Sequence, residues 1–180
     1  TNSSGILFSQ SNQVRPAKNG ATSDATQDLG VGNGRWKDLY LSGGIHLGGT
    51  GSGNKLAIYE EGNWTPVIKG NGGNNATLTV VDARYTRIGN LLHATAFIHG
   101  INFGAITSGT HVVLTGLPYT SLADNYAPFT LGHNNTNLTD GYVEANGLVY
   151  LEIDGTEVQQ SSNNITGNRF MIGITVNLNE

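Results

Sequence analysis

The apolar residues between residues 35 and 66 come in short bursts, and this spacing constrains the fold more than any other feature of the chain. Leu39–Leu41, Ile45–Leu47 and Leu56–Tyr59 are separated by glycine-rich turns, the longest of which covers residues 48–53. Such bursts are too short for helices and too sparse to enclose a core of their own. The stretch therefore predicts short β-strands that share a core with another part of the protein or with other copies of it.

The composition supports a β-rich chain. The 180 residues include 26 glycines, and only 12% of the residues are charged. The glycine share is about double that of an ordinary globular protein and the charged share about half of it. Asparagine and threonine supply most of the remaining polarity, and this mixture favours turns and strands over helices. The chain has no cysteine, so disulfides and thiolate metal sites are excluded.

The charge pattern argues against several classes of partner. The formal net charge is −4, and the nine basic residues are scattered along the chain. A row of phosphates would need clustered Lys and Arg, so we expect no nucleic-acid partner. No apolar run reaches the roughly 18 residues of a membrane span, so we expect no membrane insertion. The first residues have neither the charged nor the apolar region of a signal peptide.

Residues 1–62 predict a β-rich arm with little core of its own. Its apolar bursts are Gly5–Phe8, Gln13–Ala17 and Leu29–Gly32, and Asn19-Gly20 and Asn33-Gly34 have the sequence of type I′ turns. So few apolar residues cannot offset the entropy of ordering the arm alone. Two interpretations follow: a disordered arm, or an intertwined three-chain β-prism or β-helix in which each chain supplies a third of every layer. We favour the second.

Residues 63–180 predict one β-domain of eight or nine strands. Residues 91–99 alternate, with Leu92, Ala94, Ala96 and Ile98 on one face, and residues 170–178 alternate more cleanly still. A kink is expected at Asp82, and Asp154-Gly155 predicts a hairpin turn after a strand at 147–154. Turn residues recur throughout, and no helical periodicity of useful length occurs. The predicted fold is a β-sandwich of jelly-roll type.

Three strings in the first part of the chain carry a resemblance: RWKDLYLSGGI at 35–45, LGGTGSGNKL at 47–56 and YEEGNWTP at 59–66. Together they resemble the joint between stalk and distal domain in tail fibres and related virion fibres of tailed bacteriophages, with Asn63 where threonine is more usual. RYTRIGNL at 84–91 and LTGLP at 114–118 extend the resemblance into the second part of the chain. These strings are specific for a family of structural parts and not for any reaction.

The resemblance implies a fibre fragment that forms a homotrimer. Residues 1–62 would be the stalk, and residues 63–180 would be a distal domain that recognises the host surface. The protein would be made in the bacterial host cytoplasm and then form part of an exposed tail or head fibre of the virion. Other virion proteins would lie upstream of residue 1. Two alternatives of the same class are a trimerisation cap and a head fibre, neither of which needs a ligand.

Three polar loops carry the candidate binding residues. They cover residues 119–126, 133–142 and 159–168, and they combine tyrosines with amide and carboxylate groups. Carbohydrate sites use such pairs of aromatic faces and hydrogen-bonding groups, and loops on a rigid scaffold often carry them. The expected partner is a host cell-surface glycan or lipopolysaccharide. The predicted ligand-binding residues are Tyr119, Asp124, Asn125, Tyr126, Asn134, Asn137, Asp140 and Tyr142.

Catalysis is not expected, although some phage fibres degrade polysaccharide with paired carboxylates. Glu152 and Asp154 share a strand face, but Asp154 begins a turn, where aspartate is common for structural reasons. No GxSxG motif occurs. His93 and His99 lie roughly 20 Å apart along an extended strand, too far to hold one ion. We therefore predict no catalytic residue, no cofactor and no metal site, and keep a polysaccharide depolymerase only as an alternative.

Overall fold

A computed structural model describes residues 4–9, 12–70, 73–106, 110–120, 122–124, 126–159 and 169–179. These residues form an all-β protein without an α-helix, which confirms the predicted fold class at that level. The chain divides into two compact units, Thr1–Ser42 and Gly43–Glu180. Residues 43–62, which sequence analysis assigned to the stalk, belong to the same compact unit as residues 63–180.

The first unit contains one small antiparallel sheet. Strand β1 (Ser4–Ser9) pairs with β2 (Gln13–Lys18), and β2 pairs with β3 (Ala21–Thr22). Asn19 and Gly20 connect β2 to β3 with φ angles of 55° and 79°, as a type I′ turn requires. The predicted turn at Asn33-Gly34 is wrong by one residue. Val31 and Gly34 exchange two backbone hydrogen bonds of 3.1 and 3.0 Å, which places Gly32 and Asn33 at the centre.

This unit buries very little. Ala17 is its one buried hydrophobic residue in the part of the chain that the structure describes. Its larger apolar side chains surround an open groove with a volume of about 790 Å³. We call this set the apolar groove; its apolar lining residues are Ile6, Phe8, Val14, Leu29, Val31, Trp36 and Leu39. Each of them is more than half exposed, so the unit has no enclosed core of its own.

The second unit contains a small sheet and a large one. Strand β4 (Ile45–His46) pairs with β5 (Lys55–Leu56) across a short 3₁₀ turn at Ser52–Asn54. The remaining strands form a ten-stranded sheet that curls into a half-barrel. They are β6 (Tyr59–Asn63), β7 (Val67–Gly70), β8 (Thr77–Ile88), β9 (Leu91–Asn102), β10 (Val112–Thr115), β11 (Ala127–Gly132), β12 (Asp140–Val143), β13 (Val149–Ile153), β14 (Thr156–Glu157) and β15 (Arg169–Asn177). Their order in the sheet is β6-β8-β9-β15-β11-β12-β13-β10-β7, and β14 pairs with β13.

The predicted alternation in β9 and β15 is confirmed. Leu92, Ala94, Ala96 and Ile98 are all buried, and so are Phe170, Ile172, Ile174, Val176 and Leu178. The two strands are antiparallel neighbours, with Ile98 opposite Phe170 and Leu92 opposite Val176. Their inward side chains therefore meet on one face of the sheet and form the centre of its core.

Two local predictions in this unit are also confirmed. The ladder between β8 and β9 shifts register between Val80 and Asp82, so the expected kink is a bulge within one continuous strand. Asp154 and Gly155 join β13 to β14 with φ angles of 51° and 73°. This is the two-residue hairpin turn that the Asp-Gly sequence predicts.

Two segments without an alternating side-chain pattern are strands. Residues 60–62 lie in β6, which pairs with β8 along its whole length. The predicted loop at 133–142 ends in β12, which lies between β11 and β13. Both strands are rich in polar residues and glycine, so backbone pairing holds them in place and their side-chain pattern does not reveal them. Of the predicted loop at 159–168, residues 160–168 lie outside the described residues.

Trp64 connects the two ends of the strand order. The chain leaves β6 at one end of the sheet and enters β7 at the other, and Trp64 between them is buried. Its indole Nε1 donates a hydrogen bond of 2.9 Å to the Thr95 carbonyl, so the ring packs against the core with its polar atom paired. Gly116 passes close by with φ of +95°, where a Cβ atom would lie 2.0 Å from the Thr65 carbonyl oxygen. Only glycine fits at that position.

Candidate functional site

Three tyrosines form a contiguous group on β12, on β13 and immediately before β11. Tyr142 and Tyr150 are cross-strand partners whose rings stack at 5.0 Å with an interplanar angle of 12°. Tyr126, immediately before β11, packs edge-on against Tyr142 at 5.1 Å and 61°. Tyr126 has φ of +62° and is 62% exposed, so one ring of the group is open to solvent. We call Tyr126, Tyr142 and Tyr150 the tyrosine platform.

Polar groups complete this site from β14 and from the residue before β10. The Tyr142 hydroxyl donates a hydrogen bond of 2.6 Å to Glu157 Oε1, and His111 Nδ1 contacts Glu157 Oε2. The hydrogen bond from Tyr142 is the main reason why the pKa of Glu157 is below its usual range. Burial, reinforced by the Glu157 carboxylate, raises the pKa of the Tyr142 hydroxyl. At neutral pH the site therefore presents a neutral phenol beside an ionised carboxylate.

This arrangement suits a ligand that is apolar on one face and polar at its edges. An exposed aromatic ring offers a flat apolar contact, and the Tyr142 ring that supports it carries a hydroxyl bonded to an ionised carboxylate. A sugar ring has both of these surfaces. The stacked pair beneath Tyr126 restricts how far that ring can move, and a fixed ring loses less entropy when it binds.

Tyr119 lies in a different cluster. Its hydroxyl donates to one oxygen of Glu60, and the Tyr85 hydroxyl donates to the other. The two rings meet edge to face at 6.3 Å, and the Arg87 guanidinium lies 4.8 Å from the centre of the Tyr119 ring. The bond to Glu60 raises the pKa of Tyr85 to about 12, and the two phenols lower that of Glu60. These contacts link β6 to β8 and to the segment after β10, so Tyr119 is occupied by contacts within the protein.

Two other predicted residues are engaged in local structure. The Asp124 carboxylate accepts hydrogen bonds of 2.6 and 3.0 Å from the backbone and side chain of Asn177. Asn134 donates 2.8 Å to the Leu138 carbonyl and accepts from the backbone of Thr136, which closes its loop. Both side chains stabilise the loops that the sequence analysis assigned to ligand binding.

The remaining predicted residues are dispersed. Asn137 is exposed in its loop, and Asp140 at the start of β12 accepts a hydrogen bond of 2.7 Å from Thr139. Asp140 is the cross-strand neighbour of Glu152, whose pKa is raised by burial first and by the Asp140 charge second. Asn125 lies outside the described residues. Of the seven predicted residues that the structure describes, only Tyr126 and Tyr142 come together.

The other residues of this site were not among the predicted ones; they are Tyr150, Glu157 and His111. The alternation that buries Val149 and Leu151 also turns Tyr150 to the opposite face, so the strand pattern contained a signal for it. Glu157 is two residues past the Asp154-Gly155 turn and is opposite Glu152, which could have been inferred once β14 was assigned. His111 had no such signal, because its contact with Glu157 spans 46 residues of chain.

In the described ranges, no three His, Asp or Glu side chains converge in a way that could hold a metal ion. No helix in the same residues has the length and apolar character needed to cross a membrane. No known protein family, curated protein or solved structure matches the chain.

Glu157→Gln is expected to make the stability of the protein less sensitive to acid. Because the folded pKa of Glu157 is below the unfolded value of about 4.3, its carboxylate stabilises the fold above that pH. This contribution is lost as the pH falls through the lower, folded pKa. The free energy of unfolding, measured by urea denaturation between about pH 6 and pH 3, should therefore fall less steeply in the variant than in the parent chain.

Tyr142→Phe serves as the matched variant in this experiment, because it removes the hydroxyl that contributes most to the shift and keeps the ring. In this variant too, the free energy of unfolding should fall less steeply between about pH 6 and pH 3 than in the parent chain. Part of the acid sensitivity should remain in both variants, since the Tyr119 and Tyr85 hydroxyls lower the pKa of Glu60 independently. Parallel pH profiles for Glu157→Gln and the parent chain would contradict the assigned role of Glu157.

Proposed function

We propose that the protein is a fragment of a homotrimeric bacteriophage fibre whose distal domain binds a host cell-surface glycan or lipopolysaccharide. The observation that carries the binding part is the tyrosine platform, where the exposed Tyr126 ring packs on Tyr142, whose hydroxyl is bonded to the ionised Glu157. Weak individual sites suffice for such a fibre. Three sites on one trimer, and many fibres on one virion, raise the effective affinity by local concentration.

The apolar groove supports the trimer. Seven large apolar side chains of this segment are more than half exposed. Because so little apolar surface is buried, the segment alone cannot offset the entropy of ordering its chain. Two further copies of the same segment would cover these side chains in an intertwined stalk, as the resemblance at residues 35–66 implies. The finer architecture is part of this proposal: residues 1–62 as a trimeric stalk, and residues 63–180 as a jelly-roll-type receptor-binding tip. The fibre would be exposed on the virion and continue into other virion proteins upstream of residue 1.

The second candidate function is a structural cap or head fibre without a ligand. The apolar groove favours this candidate as much as the first, because a shared core needs no glycan. The tyrosine platform distinguishes the two, since a cap has no use for an exposed, supported aromatic ring. Binding to host cells or isolated surface glycans is therefore the deciding observation.

A polysaccharide depolymerase remains a lesser alternative, to be tested by incubating the same glycans with the chain and measuring release of shorter products.

Tyr126→Ala is expected to weaken glycan binding at least about tenfold, which corresponds to about 1.4 kcal/mol and to the contact energy of one aromatic face. The full chain would be screened against host surface polysaccharide and lipopolysaccharide on an array, and hits would be titrated with parent and variant. Tyr59→Ala is the matched control, because Tyr59 is 61% exposed and belongs to the same unit but lies on β6. Equal affinities for the parent chain and Tyr126→Ala would reject the platform as the binding site.

A further inference from the structure

A second concave site lies on the outer face of β8, β9 and β15 and on the loop between β11 and β12, and none of its lining residues belongs to the tyrosine platform. Its lining includes Val81, Phe97, His99, His133, Asn135 and Arg169. The cavity is shallow and open, with a volume of about 420 Å³. Its lining holds one arginine and two histidines but no carboxylate, although the whole chain has a net charge of −4. We call it the basic pocket.

The sheet and one loop hold the basic groups together. Arg169, the first residue of β15, is the cross-strand partner of His99 on β9. The loop after β11 is joined to the same point by two hydrogen bonds. The Arg169 backbone N–H donates 2.9 Å to the Asn135 side chain, and the Asn135 N–H donates 3.2 Å to the Arg169 carbonyl. The loop that carries His133 is thereby held next to Arg169.

An aromatic ring forms the floor of this pocket. Phe97 points outward from β9, and its ring centre lies 6.2 Å from the ring of His99 and 5.5 Å from the ring of His133. His133 packs against Phe97 with an interplanar angle of 76°, so the two rings meet edge to face. Val81 on β8, which is largely exposed, extends the apolar surface. The pocket thus combines an apolar floor with a basic rim.

Within the part of the chain that the structure describes, the guanidinium of Arg169 has no carboxylate partner. Asp82 on β8 is the cross-strand neighbour of Phe97 and so the nearest acid by position, and its carboxylate is paired with Arg84 at 3.0 Å. An arginine with its planar N–H groups unpaired is well suited to bind a carboxylate or a phosphate through two hydrogen bonds.

We propose that the basic pocket binds an anionic group on a sugar, either a carboxylate or a phosphate. Arg169 would contact the anion, the two histidines would add hydrogen bonds, and the sugar ring would lie on Phe97. This inference rests on the proposed glycan-binding function and narrows it to acidic glycans. It concerns different residues from the tyrosine platform, so the two sites can fail separately.

The test is a titration of the full chain, followed by NMR chemical shifts, with three defined probes. Trigalacturonate offers carboxylates, glucose 6-phosphate offers a phosphate, and maltotriose is the neutral probe. We expect saturable binding of at least one acidic probe and none of maltotriose at this pocket. The acidic probe that binds identifies the group. Failure of both acidic probes to bind, or equal binding of maltotriose, would overturn the inference.

Variants locate the binding. Arg169→Gln should lower the affinity for the acidic probe at least about tenfold, because it removes a charge-assisted pair of hydrogen bonds. Arg15→Gln removes the same charge from the first unit and should leave binding unchanged. Equal weakening by both would show an unspecific charge effect and overturn the inference. His133→Gln should weaken binding less than Arg169→Gln, and unchanged thermal unfolding should show that both variants are folded.

Tyr126→Ala separates this inference from the proposed function. Acidic probes should still bind to this variant, because Tyr126 is not among the residues that line the basic pocket. If host glycans bind through Tyr126 while both acidic probes fail, the basic pocket is rejected and the proposed function stays. If the acidic probes bind through Arg169 while no host glycan binds to the parent chain, the pocket stays and the proposed function is rejected.

Discussion

Phe8→Asp is expected to convert the full chain from a trimer to a monomer at micromolar concentration. Phe8 is 82% exposed in the single chain and faces Val14 across β1 and β2 in the apolar groove. In a three-chain stalk it would be buried, and the substitution would then place three carboxylates in a shared core. Burying an unpaired charge is so costly that the association constant should fall at least about 100-fold.

Light scattering measures this directly. The parent chain should have a mass near three times 19.0 kDa, and the variant a mass near 19.0 kDa. Tyr40→Asp is the matched control, because Tyr40 is even more exposed than Phe8 but does not line the groove. It adds the same charge and should leave the trimer intact. A parent chain that is already monomeric, or a Phe8→Asp variant that stays trimeric, would reject the shared core.

Phe170→Ala is expected to destabilise the second unit by about 3–5 kcal/mol. Phe170 is fully buried at the centre of the sheet, opposite Ile98. Its truncation loses the transfer free energy of the ring and leaves a cavity that a close-packed core only partly fills. The loss should appear in the free energy of unfolding from guanidinium denaturation, with all proteins at one concentration so that any association affects them equally.

The adjacent residue provides the control. Met171 lies on the opposite face of the same strand and is 46% exposed. Met171→Ala should change the free energy of unfolding by no more than about 0.5 kcal/mol, as is usual for surface substitutions. The contrast between neighbouring positions tests the inward and outward faces of β15 directly. Similar losses for the two variants would contradict the assigned faces of the strand.

The candidate site was only partly predictable because its residues are distant in sequence. Tyr126 and Tyr142 were predicted as members of two separate loops. The structure places one of them before β11 and the other in β12, where the stack with Tyr150 and the bond to Glu157 form. Asp124 and Asn134 were predicted for the same reason, namely a polar side chain in a loop, and both bind the protein itself. Side-chain type alone does not distinguish these two outcomes.

The strands whose two faces differ could be predicted from the amino-acid sequence. Strands β9 and β15, the bulge at Asp82 and the turns at Asn19-Gly20 and Asp154-Gly155 all follow from local alternation or from the φ angles that asparagine, aspartate and glycine tolerate. The sequence also indicated that the first unit lacks a core, because so few apolar residues occur there. These properties depend on neighbouring residues and can be seen within short windows.

Which strands are neighbours, and which side chains meet, depends on the tertiary structure. It placed β15 between β9 and β11, and it paired the polar strands β6 and β12 that no side-chain pattern marks. It also joined Glu60 to Tyr119, His111 to Glu157, and Arg169 to the loop of His133. Such contacts depend on the order of strands in the sheet, which is set by the packing of the whole core, and the local sequence carries no record of it.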